Sequence, residues 1–193
     1  IDGIHFGEHI VLCALGVDAT GSKPFLAFVI DGSKGLRSAV RSVFGKRALV
    51  QRCQVHKVRN VIGHLPEERH ADVRAAMREA YKCSKVDTAK RLLNNLARSL
   101  QKKHPSAASS LREGLDETLT VMGLGVSAFL TRSLSTTNPV ENMNGRIRAV
   151  ARRVKRWNDG TMILRWELVG VLEAARGEVL EPLRHQVTNR AAG

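Results

Sequence analysis

Three carboxylates stand where chemistry could be done. Asp2 lies in an extended run at the start of the chain, Asp31 directly follows the apolar run 25–30, and Glu141 falls in the first turn of a helix announced by Thr136, Thr137, Asn138 and Pro139. Carboxylates gathered from separate elements repel one another, and a divalent cation relieves that repulsion; hard oxygen donors suit Mg²⁺ or Mn²⁺. Two such ions about 4 Å apart can activate a water or a 3′-hydroxyl and stabilise the leaving oxygen in phosphodiester exchange. Spacing alone leaves the plainer reading open, because Asp before Gly forms turns and Glu at a helix start answers the helix dipole.

The cations are arranged as tellingly as the acids. Residues 32–66 hold eight Lys or Arg, Lys57 and Arg59 among them, and no acid. Residues 142–158 repeat the pattern with Arg146, Arg148, Arg152, Arg153, Lys155 and Arg156. Solvated helix faces normally interleave Glu with Lys or Arg, so two purely cationic stretches flanking the acids read as a phosphate track. Cys53 and His56 make a Cys-x-x-His pair, half of a zinc site without a second half at finger-like spacing; packing at a strand end is the alternative. Trp157 and Trp166 flank the turn 158–160 and read as helix packing. No Gly-x-Ser-x-Gly, phosphate-binding glycine loop or dinucleotide fingerprint occurs.

The elements that must position these residues change character along the chain. Runs at 2–6 and 9–17, joined at Gly7 and Glu8, suggest an antiparallel hairpin. After the polar turn 18–24, the run 25–30 suits a buried strand beside that hairpin, followed by a helix from Lys34 to Phe44 and a short strand at 48–50. Beyond residue 60 the spacing predicts helices over 67–81, 85–103, 105–122, 139–155 and 161–180. The reading is an α/β core, residues 1–62 and 131–193 with its first half incomplete, interrupted by an all-α insertion at 63–130 and closed by C-terminal helices.

Composition narrows the function classes. The 193 residues are 43% hydrophobic and 25% charged, as expected of a folded globular chain. A formal net charge of +13 makes a polyanion the natural partner, and only 4% aromatic residues favour duplex phosphates over stacked single-stranded bases. The three cysteines read as reduced thiols. No run reaches the roughly 18 apolar residues a bilayer needs. The start, without Met or a basic leader, reads as the middle of a longer protein, and the reduced thiols suit the cytosol.

Together, the strings Asp2-Gly-Ile-His-Phe, Phe28-Val-Ile-Asp-Gly-Ser-Lys-Gly-Leu36, Gln51-Arg-Cys-Gln-Val-His-Lys-Val-Arg-Asn60 and Thr136-Thr-Asn-Pro-Val-Glu-Asn-Met-Asn144 resemble the mutator-type transposases of bacterial insertion sequences. The resemblance implies an RNase H-like mixed-sheet core with a helical insertion and an Asp-Asp-Glu triad that cleaves and joins DNA. The triad falls on Asp2, Asp31 and Glu141, which would hold two Mg²⁺ or Mn²⁺ ions, and Cys53 and His56 match the family's signature pair. Implied partners are double-stranded DNA, as terminal inverted repeats and target, and further copies of the chain in a homo-oligomer. Two rivals stand beside this reading: a catalytically dead basic DNA-binding remnant, and an RNase H-like structure-specific nuclease that cuts without joining.

Overall fold

A computed structural model describes residues 2–6, 9–13, 27–45, 48–152 and 154–176, with side chains from residue 28 to 173 apart from 46, 47, 129 and 153. The chain divides into two compact units, Leu26–Thr136 and Ile1–Phe25 with Thr137–Gly193.

The Leu26–Thr136 unit opens with strand β3 (Ala27–Ile30), helix α1 (Lys34–Phe44) and strand β4 (Leu49–Arg52), after the two strands β1 (Asp2–Phe6) and β2 (His9–Cys13) that belong to the other unit. β3 and β4 run parallel, Ala27 opposite Leu49 and Ile30 opposite Arg52, with α1 as the crossover that parallel pairing requires. Ser33 caps α1 by accepting the Leu36 amide at 3.3 Å. The Cys53 amide donates to the Ile30 carbonyl at 2.7 Å, closing the ladder where helix α2 (Gln54–Ile62) begins.

Helices α3 (His70–Lys82), α4 (Val86–Gln101) and α5 (Pro105–Arg112) follow. Val73, Met77 and Ala80 on α3, and Ala89, Leu93, Ala97 and Leu100 on α4, recur at three- and four-residue steps and form one buried stripe per helix. These stripes meet Val61 and Ile62 of α2 and Ala107, Ala108 and Leu111 of α5 in the unit's core. The helix expected over 105–122 stops at Arg112. Gly114 takes φ +61°, and the chain continues as single 3₁₀ turns at Asp116–Leu119 and Met122–Leu124 before α6 (Ala128–Leu134).

In the other unit, β1 (Asp2–Phe6) and β2 (His9–Cys13) pair antiparallel with Asp2 opposite Cys13 and Phe6 opposite His9, the hairpin the sequence predicts. Helix α7 (Asn138–Ala151) packs on β1 and on α8 (Gly160–Arg176). Val140, Met143, Ile147, Ala151 and Ile163 form its core, with Trp157 packed against it as the sequence reading expects. Gly170 lets the helices touch, since a Cβ there would come within 2.6 Å of the Ile147 Cα.

The mixed-sheet, RNase H-like core is overturned. Among the described residues the four strands form two separate two-stranded sheets, β1–β2 and β3–β4, and the fold is mostly helical. The physical reason lies in strand length and helix periodicity: each strand spends only four or five residues, while helical spacing governs nearly everything from Gln54 onward. The strand at 27–30 takes its partner from across α1, not from the hairpin. The turn at 18–24 and the continuation of the second strand to residue 17 lie outside the described residues.

Candidate functional site

Asp31 leaves β3 into a tight turn. Its Oδ1 accepts the Ser33 amide at 2.8 Å, which fixes the carboxylate at the mouth of α1. Gly32, at φ +113°, completes the turn against the guanidinium of Arg52, and a Cβ at position 32 would stand 2.6 Å from Arg52 Nε. Only glycine accepts both the dihedral and the contact. Arg52 is itself buried, donating to the Glu113 carbonyl at 3.1 Å and to Glu113 Oε2 at 3.2 Å. One arginine therefore ties the Asp31 turn to the end of α5.

Glu141 sits in the first turn of α7, half-buried, with its amide on the Thr137 carbonyl at 2.9 Å and its Oε1 accepting from Thr137 Oγ1. A carboxylate there is favoured by the helix N-terminus, and the threonine fixes its rotamer. Asp2 lies on β1, which packs on α7, so the elements carrying Asp2 and Glu141 meet within one unit; the Asp2 side chain lies outside the described ones. Asp31 belongs to the other unit. Among the described residues no three His, Cys, Asp or Glu side chains gather around a common ion position.

Cys53 and His56 occupy the cap and first turn of α2, Cys53 fully buried and His56 half-buried. The next amide, that of Gln54, donates to the Ser135 carbonyl at 2.9 Å, and the Gln54 side chain to the Thr118 carbonyl at 2.9 Å. Cys53 and His56 thus stand at a junction where β3, β4, α2 and the end of α6 are bonded together.

The cations divide into spent and available. Lys57, expected on phosphate, is fully buried and donates through Nζ to the Ser110 and Glu113 carbonyls. Burial, reinforced by the nearby Arg52 charge and only partly offset by Glu113 and Glu117, pulls its pKa down to about 8. Arg37 and Arg41 converge on Glu117 Oε1 at 2.7 and 3.3 Å. Burial pushes the Glu113 carboxyl up, but the bond and charge from Arg52 and the charges of Lys57 and Lys34 outweigh it, holding that carboxyl below its usual range. Two acids of the 113–117 segment thus neutralise much of a run that contains no acid of its own. Arg59, Arg146, Arg148 and Arg152 remain exposed, and Arg153 lies outside the described residues.

The sequence reading missed the structural work of Arg52, Lys57 and Thr137. Lys57 had a signal: it falls between Cys53 and Val61 at four-residue steps, on the buried face of α2. No described helix is long and apolar enough to cross a membrane.

Residues 17–178 match the family described as Transposase, Mutator family. The chain belongs to that family. The transposase for insertion sequence element IS6120 of Mycolicibacterium smegmatis is 32% identical over 125 residues, covering 65% of this chain and 38% of that protein. The transposase for insertion sequence element IST2 of Acidithiobacillus ferrooxidans is 28% identical over 132 residues, 68% of this chain and 43% of the relative. The transposase for insertion sequence element IS256 in transposon Tn4001 of Staphylococcus aureus is 30% identical over 122 residues, 62% and 30% of the two chains. The chain spans less than half the length of these relatives. The family match includes Asp31 and Glu141, and Asp2 precedes it.

Proposed function

We propose that this chain carries the DNA-cleaving and strand-joining part of an insertion-sequence transposase, with Asp2, Asp31 and Glu141 as its acidic residues. The observation that carries the reading is the family match over residues 17–178, which takes in two of the three acids. The geometry supports it at two of the acids, each taken singly: Asp31 is fixed by Ser33 and by the Gly32–Arg52 contact, and Glu141 by Thr137. The donors are all carboxylate oxygens, the chemistry Mg²⁺ or Mn²⁺ takes. When bound, a pair of such ions supplies Lewis-acid activation of the attacking water or 3′-hydroxyl and of the leaving oxygen. The protein's own part is to hold its carboxylates in place and to seat the duplex backbone on exposed Arg146 and Arg148 of α7 and on Arg152 at its C-cap. The substrates are the terminal inverted repeats and a target duplex at the bacterial nucleoid, and pairing two element ends calls for a homo-oligomer.

The test is nicking and joining of terminal-repeat DNA in Mg²⁺ or Mn²⁺, lost in Asp31→Asn and Glu141→Gln. Activity undiminished by either change overturns the assignment. A second reading, a non-catalytic DNA-binding remnant, is favoured by the formal net charge of +13, which draws a polyanion with no help from a metal. It expects salt-sensitive binding with no metal-dependent cleavage.

A further inference from the structure

The Leu26–Thr136 unit contains a cleft of about 1050 Å³ between α2, α3 and the segment 122–136. Its sheltered lining is largely apolar, with Val58, Ile62 and Met122 beside the buried Ser135, while Arg59, Arg74, Arg78, Lys82 and Arg132 surround it and no Asp or Glu lines it. Arg74, Arg78 and Lys82 are four residues apart on α3, one row with about 6 Å between successive members. Lys82 is held by Glu79 at 2.7 Å. The four arginines have no carboxylate partner among the described residues, in contrast to Arg37, Arg41 and Arg52.

A second groove of about 790 Å³, walled by Lys34, Asn60, Ser106 and Ser109, also has Arg59 in its lining, so the two adjoin at that side chain along one cationic track. The groove's single carboxylate, Glu113, is bonded to Arg52 at 3.2 Å. Arginines left without counter-charge around an apolar floor repel one another, and a bound polyanion removes that repulsion. We propose that this track holds the phosphodiester backbone of a DNA segment, with Arg74, Arg78 and Arg132 on phosphates and deoxyribose edges over the apolar floor. The inference rests on the reading of the chain as a DNA-processing protein and adds to it a contact surface separate from Arg146, Arg148 and Arg152.

The test is the salt dependence of duplex binding by the whole chain, which does not depend on cleavage. In the triple variant Arg74→Ala, Arg78→Ala, Arg132→Ala, the slope of log K against log salt becomes shallower by about 2.7, since each phosphate left without its arginine takes about 0.9 from the slope. The matching Arg→Lys triple keeps the slope and controls for folding. Removing equal charge at Lys85, Lys102 and Lys103, which are exposed and line neither groove, leaves it unchanged. An unchanged slope in the Ala triple, or an equal drop in the Lys control, overturns the track and leaves the cleft to a partner such as an acidic protein helix. If Glu141→Gln abolishes cleavage while the Ala triple keeps its slope, the track alone falls. If the slope drops but no carboxylate change affects cleavage, the catalytic assignment falls and the track stands.

Discussion

Arg52 packs directly on Gly32: a Cβ added to the glycine would lie 2.6 Å from Nε and 2.8 Å from Nη2 of the arginine. The same guanidinium crowds Gly114, where an added Cβ would meet Nη1 at 2.8 Å. Two left-handed turns are therefore built around one buried side chain. Gly32→Ala must strain its backbone and displace Arg52 together, costing about 1–3 kcal/mol in chemical unfolding. Because the displaced turn carries Asp31, DNA cleavage should fall about 100-fold, the effect of a reacting group moved by about 1 Å. Stability and cleavage equal to the parent chain would show that the turn relaxes freely.

The buried Lys57 gives stability an alkaline signature. Its folded pKa of about 8 lies below the ordinary 10.5, so between those values the unfolded chain holds a proton that the folded chain lacks. Stability should rise with pH through that window. Tyr81 acts oppositely: burial raises its pKa from 10.0 to about 12, so its contribution is complete below 10 and declines above it. Urea midpoints from pH 7 to 11 should show the rise vanish in Lys57→Met and the later decline soften in Tyr81→Phe. A parallel curve for Lys57→Met would mean that the ammonium is hydrated after all.

Glu117 restrains two arginines at once, through contacts of 2.7 Å to Arg37 and 3.3 Å to Arg41. Arg41 is exposed and Arg37 partly so, and Glu117→Gln should cost about 1 kcal/mol of stability or less. It should also tighten duplex binding and steepen the salt slope by about 1 to 2, as each released cation becomes able to meet a phosphate. Equal slopes for the two proteins would place Arg37 and Arg41 away from DNA.

Thr137 tests the seating of Glu141 without touching the acid. Thr137→Ala removes the hydroxyl bonded to Glu141 Oε1 and should cost about 1 kcal/mol in unfolding, while lowering the cleavage rate at saturating DNA. Thr137→Ser restores both. Cleavage unaffected by Thr137→Ala would leave the hydroxyl a stabilising contact alone.

The local elements are legible in the sequence because local chemistry sets them. The Gly7–Glu8 joint flanked by extended runs marks the hairpin, and Leu36, Val40 and Val43 mark α1 by their spacing. Strand partnership is not legible: the run at 27–30 is equally apolar whether it pairs with the hairpin or with Leu49–Arg52. The fate of charge is hidden for the same reason. Nothing near Arg37, Arg41 or Arg52 in the sequence indicates that Glu113 and Glu117 answer them, because those acids arrive through the packing of α2 on α5 and of β4 on Asp116–Leu119. Gly114 likewise reads as an interior residue of a long helix until Arg52 requires the chain to turn there.

The notch at Gly170 reaches further than its own helix pair. Ile147 lodges there six residues beyond Glu141, about 9 Å along the α7 axis. A rod seated in such a notch can neither slide nor roll without lifting off its neighbour. The carboxylate at its head therefore takes its address from a missing methyl group near its tail.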